Sequence, residues 1–272
     1  MGICYRLAVL LLAASAASGA GAVAPAERPF PGGAAAYLVQ VDGRTLWSHE
    51  ADRALPPASL TKIMTALVFI ESGRPLDEVV RVSARAQRAG GSRLGLKVGE
   101  RMRAGDVLAA TLLRSANDAC LALAEHVAGD KARFAELMNA RARELGMSRT
   151  HFTNPCGHDE PRHRSSARDL AVLAGAAMAH PLFARLVATV DLRVATLEGR
   201  RFDVENKNEI VGRYPGAIGV KSGFTPAAGK CLVAAARRDG VTVLLVVLNG
   251  ANRWWDSVAL LDRAFAEAKS TR

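Results

Sequence analysis

Apolar residues alternate or run together near both ends of the chain, and in its middle they recur every three or four positions. Ala36 to Val41 and Arg44 to His49 flank Asp42-Gly43, a two-residue turn signal that predicts a β-hairpin. Lys230 to Arg237 and Val241 to Leu248 flank Asp239-Gly240 in the same way, and both segments are apolar and rich in β-branched residues. Shorter strands are expected at Leu192 to Thr196 and Arg201 to Val204, around Glu198-Gly199, and another at Gly216 to Gly223. Between these ends the period changes. Pro56-Pro57 stops the strand region, and Ile63, Met64, Leu67 and Ile70 mark a buried helix starting near Ser59. Further helices are expected from Asp106 to about Leu112, from Asn117 or Asp118 to Val127 before Gly129, and from Lys131 to Leu145 before Gly146. Ser166 to His180 follows, with Ser166 and Asp169 as a capping box. A last amphipathic helix begins at Asn252 and runs through Trp255, Val258, Leu261 and Phe265, with Arg253 reading as an exposed helix start ahead of a buried Trp254 or Trp255. Arg81 to Gly99 has few periodic apolar positions and reads as a long connection.

Strands first, a helical middle and strands last place the chain in the α/β (α+β) class. The order predicts one mostly antiparallel sheet made from N- and C-terminal strands and flanked by helices, with an all-helical lobe inserted at about residues 80–190. No repeat or linker divides the region 35–272, which reads as a single domain. At 272 residues and 50% hydrophobic content the chain has ample material for a core.

The N-terminus is a separate matter. A basic start at Met1 to Arg6, an apolar Leu7 to Leu12 and small residues around Ala20-Gly21-Ala22 and Ala22-Val23-Ala24 have the pattern of a secretory signal peptide. Cleavage is expected near Ala22 or Ala24, which leaves a Pro- and Gly-rich leader at about 25–34 and an exported, extracytoplasmic protein. An uncleaved anchor is the competing reading, but the strongly apolar stretch is short of the roughly 20 residues a span needs. The formal net charge is +10. The arginines are scattered through Ala-rich helices and no nucleic-acid motif is present, so anionic wall polymers or a membrane surface fit the charge better than nucleic acid. Simple solubility is the bland alternative. Cys4 falls in the signal peptide, so Cys120, Cys156 and Cys231 remain. Their connectivity is not readable from the sequence. Cys156–Cys231 is one candidate pairing, and Cys120, in an apolar helical run, reads as a buried small hydrophobe. No paired Cys/His spacing of the zinc type occurs, and no metal or other cofactor is expected.

The candidate chemistry lies in three strings in fixed order: Ser59-Leu60-Thr61-Lys62, Ser115-Ala116-Asn117 and Lys221-Ser222-Gly223. A serine hydroxyl needs a base within hydrogen-bond reach and donors for the oxyanion that forms. Residues three apart are neighbours on a helix, so the first string supplies nucleophile and base together. For Lys62 to act as a base it must spend time neutral, and burial beside a second cation, Lys221, lowers its pKa. Taken alone, Ser59 would be a helix cap, Lys62 a solvated helix lysine, and Ser115 and Asn117 loop caps. The trio is the signature of penicillin-binding proteins and class A β-lactamases.

Pro57 to Thr65, Leu113 to Ala119 and Gly216 to Thr225, with Phe152 to Pro155, Gly157 and His163 to Asp169, make the chain resemble the serine D-alanyl-D-alanine carboxypeptidases, the low-molecular-weight penicillin-binding proteins. The likeness runs from about Ala35 to Phe265. It implies a β-lactamase/transpeptidase-like fold with the site between two lobes. It also implies removal of the terminal D-alanine of peptidoglycan stem pentapeptides through an acyl-enzyme on Ser59, with β-lactam antibiotics as covalent inhibitors. In these terms Lys62 is the base, Ser115 relays protons and Asn117 orients the peptide amide. Backbone N–H groups of Ser59 and Phe224 form the oxyanion hole, while Lys221, Ser222 and Arg253 bind substrate, the last two at its terminal carboxylate. The chain departs from the pattern in placing Ser222 where threonine is usual and Phe224 where many members carry histidine. It also lacks the extra C-terminal β-domain and anchor of some relatives, so a soluble or wall-associated form is expected. Three alternatives stand beside this reading: a class A-like β-lactamase, whose Glu-x-x-Leu-Asn string is missing here, a DD-endopeptidase, and a catalytically silent wall-binding or sensor module.

Overall fold

The computed structural model describes residues 33–270. The signal peptide and nearly all of the leader expected from the sequence lie outside the described residues. In chain order the elements are β1 (Ala34–Val41), β2 (Arg44–His49), a single 3₁₀ turn (Ala58–Thr61), α1 (Lys62–Glu71), β3 (Val79–Arg81), α2 (Ala84–Gln87), β4 (Arg101–Arg103), α3 (Ala104–Leu112), α4 (Asn117–Ala128) and α5 (Lys131–Glu144). There follow α6 (Ala167–Met178), α7 (Pro181–Ala188), β5 (Asp191–Ala195), β6 (Arg201–Glu205), β7 (Ala217–Thr225), β8 (Gly229–Arg238), β9 (Val241–Gly250) and α8 (Arg253–Ser270).

The main sheet has five strands in the order β2-β1-β9-β8-β7, with every neighbouring pair antiparallel. The N-terminal hairpin therefore joins the C-terminal strands through β1 and β9, as the distribution of apolar residues predicts. The central strands are buried on both faces, which is why they read as nearly continuous apolar runs. Ala36 and Leu38 of β1, Val233 and Ala235 of β8, and Val246 and Leu248 of β9 face the helical side. Tyr37 and Val39, Leu232 and Ala234, and Leu245 and Val247 face the opposite side, where Leu260, Leu261, Ala264 and Phe265 of α8 cover them. Period-two alternation in three strands thus divides the apolar residues into two cores. Trp255 is the exception on α8, being 82% exposed.

The inserted region differs in detail from the expected all-helical lobe. It also carries the small antiparallel ladder β3–β4, while the β5–β6 ladder follows it where the Glu198-Gly199 turn predicts a pair of strands. The stretch Arg81 to Gly99, expected as plain connection, contains α2, capped by the Ser83 hydroxyl accepting from the Ala86 N–H. These elements are too short to show a period. The capping box at α6 is half realised: Ser166 Oγ accepts from the Asp169 N–H, while the Asp169 carboxylate accepts from the Arg149 N–H and Thr150 hydroxyl. Among the described residues no single helix is long and apolar enough to cross a membrane.

The cysteines correct the sequence expectation. Cys120 and Cys156 form a disulfide, and Cys231 is buried and free. Cys120 sits one turn after Asn117 on α4 and meets the 154–157 loop, whereas Cys231 on β8 points into the helical-side core. Linear spacing carries no trace of that approach. Closing a loop with a sequence separation of 36 removes unfolded-state entropy worth about 3–4 kcal/mol. Reduction should therefore lower Tm by roughly 10 °C, and a thermal melt with and without dithiothreitol checks it. An unchanged Tm would show that the bridge carries no stability.

His163 makes a second link beneath the helical segment. Its Nδ1 accepts from the Thr153 N–H at 3.1 Å, so the ring proton is on Nε2, which donates to Thr61 Oγ1 at 2.8 Å. Thr61 in turn donates to the Ala58 carbonyl at 2.8 Å. Burial pushes the His163 pKa from 6.5 down to about 4. The unfolded chain therefore binds a proton that the fold refuses between these values. His163's contribution is whole above pH 6.5 and declines as pH falls toward 4, by up to about 3 kcal/mol. His163→Gln should flatten that part of the stability–pH curve, measured by urea denaturation at pH 7 and pH 4.5. Parallel curves for the two proteins would remove His163 as the cause.

Candidate active site

Ser59 lies in the 3₁₀ turn that precedes α1 rather than in the helix proper, but the one-turn spacing to Lys62 is kept. Lys62 Nζ is 3.0 Å from Ser59 Oγ. The turn is held by close backbone approach. Ala58 sits at φ 49°, in the left-handed region that costs a non-glycine residue of order 1 kcal/mol. Gly157, at φ 84°, presses on the Ala58 carbonyl with no room for a Cβ, and a Cβ on Gly223 would stand 3.0 Å from the Ser59 nitrogen. Only glycine fits at the first crossing, and at the second a Cβ would be tighter than ordinary contact with the Ser59 backbone. The second brings β7, with Gly223 and Phe224, across the nucleophile turn.

Lys62 is completely buried, and its hydrogen bonds define its role. Nζ lies 2.7 Å from Asn117 Oδ1 and 2.6 Å from the Cys156 carbonyl, in addition to Ser59 Oγ. The Asn117 orientation is fixed because its Nδ2 donates to the Gly90 carbonyl, an acceptor only. Two of the three Lys62 partners can only accept. A neutral amine has two N–H bonds and one lone pair, so the lone pair is directed at Ser59 Oγ, the one partner able to donate. Burial first, and the charge of Lys221 second, hold the Lys62 pKa well below the ordinary 10.5.

Asn117 begins α4, its own N–H donating to the Ser92 carbonyl at 2.7 Å. Ser115 occupies the break between α3 and α4 at φ 60°, a second left-handed non-glycine residue beside the nucleophile. Its hydroxyl lines the cleft but makes no hydrogen bond to either lysine, so the relay suggested by the resemblance is brought close without being closed. Lys221 on β7 is 1% exposed and donates to the Ser222 carbonyl at 2.9 Å. Burial, Arg253 and Lys207 bring its pKa down to about 7.

Ser222 Oγ donates to the Lys207 carbonyl at 3.0 Å. Arg253, expected as an exposed helix start, is half-buried instead: its guanidinium donates to the Gly223 carbonyl at 2.6 Å and stacks on Trp254 at 4.6 Å. Packing against β7 removes it from solvent. Phe224 turns its side chain out, 60% exposed. Ser59, Ser115, Asn117, Ser222, Phe224 and Arg253 all line one cleft of about 550 Å³, with Lys62 and Lys221 buried beneath it.

Two participants were not found from the sequence. Cys156 presents its carbonyl to Lys62 while its sulfur is bridged to α4. His158 lines the cleft with Nε2 3.2 Å from Asn117 Nδ2. An amide acceptor and a lone histidine leave no motif to read. The candidate cleft holds acyl-transfer chemistry in outline: a hydroxyl, a desolvated amine facing it, a carboxamide and two further cations. Among the described residues no cluster of three or more His, Cys, Asp or Glu could hold a metal.

Comparison with known proteins gives the family. The chain is 34% identical over 240 residues to the D-alanyl-D-alanine carboxypeptidase DacF of Bacillus subtilis, covering 85% of this chain and 62% of the relative. It is 36% identical over 249 residues to DacB2, a D-alanyl-D-alanine carboxypeptidase of Mycobacterium tuberculosis, covering 88% and 84%. Relatives in Pseudomonas aeruginosa and Escherichia coli bear the name D-alanyl-D-alanine endopeptidase. The crystal structure of a D-alanyl-D-alanine carboxypeptidase from M. tuberculosis superimposes with a TM-score of 0.82 at 35% identity, over 90% of this chain and 96% of that one. Residues 28–252 match the peptidase S11 family, described as D-alanyl-D-alanine carboxypeptidase, and the chain belongs to that family of serine-type enzymes.

Proposed function

We propose that this protein hydrolyses the terminal D-Ala-D-Ala bond of peptidoglycan stem pentapeptides, outside the cytoplasmic membrane where that polymer lies. The observation that carries the reading is the Lys62 amine, fully buried, with its lone pair left for Ser59. Lys62 takes the Ser59 proton as Oγ attacks the carbonyl of the penultimate residue, and the backbone N–H groups of Ser59 and Phe224 receive the oxyanion. The leaving D-alanine nitrogen gains a proton from the Lys62–Ser115–Lys221 group. Water then attacks the ester, with Lys62 again as base, and releases the shortened peptide. Asn117 orients the substrate amide, and Ser222, Arg253 and Lys221 hold the end carboxylate. Penicillin acylates Ser59 by the same attack. Cross-linked peptides present the same bond, so endopeptidase action uses the same residues. The net charge of +10 favours retention near anionic wall polymers or lipid headgroups.

Ser59→Ala should abolish both D-alanine release and labelling by a fluorescent penicillin without loss of the fold. Label retained on another serine would overturn the assignment. Lys62→Arg should be nearly as damaging, because a guanidinium is not a base near neutral pH. Near-normal acylation in that variant would exclude Lys62 as base. The wild-type label should persist for much longer than a β-lactamase acyl-enzyme does, and rapid release would favour that alternative.

Arg253→Ala tests the carboxylate site. Loss of a charged hydrogen bond of about 1.5–3 kcal/mol predicts a tenfold to hundredfold fall in kcat/KM on a D-Ala-D-Ala peptide. The same variant should lose much less on a substrate whose end carboxylate is blocked. Equal losses on both would make Arg253 structural.

A further inference from the structure

A second hollow of about 530 Å³ adjoins the cleft, and Gly91 and Ser92 line both. Its other polar walls include Gln87, Arg93, Lys97 and Arg114, with no carboxylate among them. The nearby acids are already engaged. Asp118 accepts from the N–H groups of Leu94, Gly95 and Leu96, and Glu100 is paired with Arg200 and accepts from the Lys97 N–H. Among the described residues no ion pair reaches the side chains of Arg93, Lys97 or Arg114. The segment that carries them is fixed to the catalytic machinery. Ser92 accepts the Asn117 N–H, the Ser92 hydroxyl donates to the Arg114 carbonyl at 3.0 Å, and Gly90 accepts from the Asn117 carboxamide. Arg93 and Lys97 are exposed and Arg114 half-buried, so the hollow is an open patch of three cations without a carboxylate partner, and an anion is what such a patch recognises.

The direction of the substrate decides which part reaches it. With the end carboxylate at Ser222 and Arg253 and the scissile carbonyl at Ser59, the part retained on Ser59 leaves the cleft away from Arg253. A different hollow, lined by Glu209, Tyr214, Trp254 and Trp255, lies on the Arg253 side, since Arg253 stacks on Trp254. The cationic hollow remains for the retained part. We propose that Arg93, Lys97 and Arg114 form a subsite for a carboxylate carried by the stem peptide upstream of D-Ala-D-Ala. This rests on the carboxypeptidase reading and adds a selectivity to it: free acidic stems are preferred over those whose side carboxylate is amidated.

The test uses two peptides ending in D-Ala-D-Ala that differ only in a free or amidated side-chain carboxylate upstream. The acid form should have a kcat/KM roughly two- to fivefold higher at low salt, and the ratio should shrink as salt screens the pair. Arg93→Ala combined with Arg114→Ala should bring the acid-over-amide ratio close to one. Binding of both peptides to the Ser59→Ala protein, followed by calorimetry, gives the same ratio without turnover, so failure of the catalytic reading would be seen separately. A wild-type ratio of one in binding and turnover, or a ratio unmoved by the double substitution, would overturn the subsite.

Discussion

The removal of two lysine amines from water is the constraint around which the molecule is arranged. An ammonium group moved into a protein interior without a counter-ion loses several kcal/mol of hydration, and neither Lys62 nor Lys221 is paired with a carboxylate. The fold answers by giving up protons. Each amine is buried under the cleft, each is near other positive charge, and both titrate far below an ordinary lysine. A buried amine that has lost its proton is a base at a pH where an ordinary lysine is a cation. The helices and the sheet are the walls that keep water from restoring it.

The fold was largely legible because the strands are buried on both faces and their turns carry Asp-Gly pairs. The junction of β1 with β9 followed from apolar strands standing at both ends of the chain. The pairing of Ser59 with Lys62 was legible because a spacing of three sets a hydroxyl beside an amine on one helical turn, whereas the other six candidates came from the resemblance, and the structure places all eight in or beneath one cleft. What was not legible depends on approach between distant segments. Cys120 meets Cys156 only because α4 packs beside the 154–157 loop, and the Cys156 contribution at Lys62 is a carbonyl, which every residue has. Arg253 read as exposed because a helix start usually is, and nothing in the sequence shows that β7 and Trp254 close over it. Trp255 read as core from its place in an amphipathic pattern, yet it faces solvent.

The nucleophile turn shows how local conflict marks the site. Ala58 and Ser115 both hold a backbone conformation that their side chains disfavour, and each stands beside the cleft. Gly157 and Gly223 press on the turn from two sides, while the His163–Thr61 chain ties the Ala58 carbonyl from below. The surroundings over-determine the conformation, so Ser59 is held in place before any substrate arrives.

β7 ends the sheet, and the cleft lies along it. A bare strand edge is a template for any other extended chain, including β7 of a second molecule. Most proteins cover such an edge, but here covering it would close the site. Two contacts on β7 bring positively charged residues beside it: the Ser222 hydroxyl donates to the Lys207 carbonyl, and the Arg253 guanidinium donates to the Gly223 carbonyl. A second copy of this chain carries the same net charge of +10, so edge-to-edge approach is opposed by repulsion between like-charged molecules.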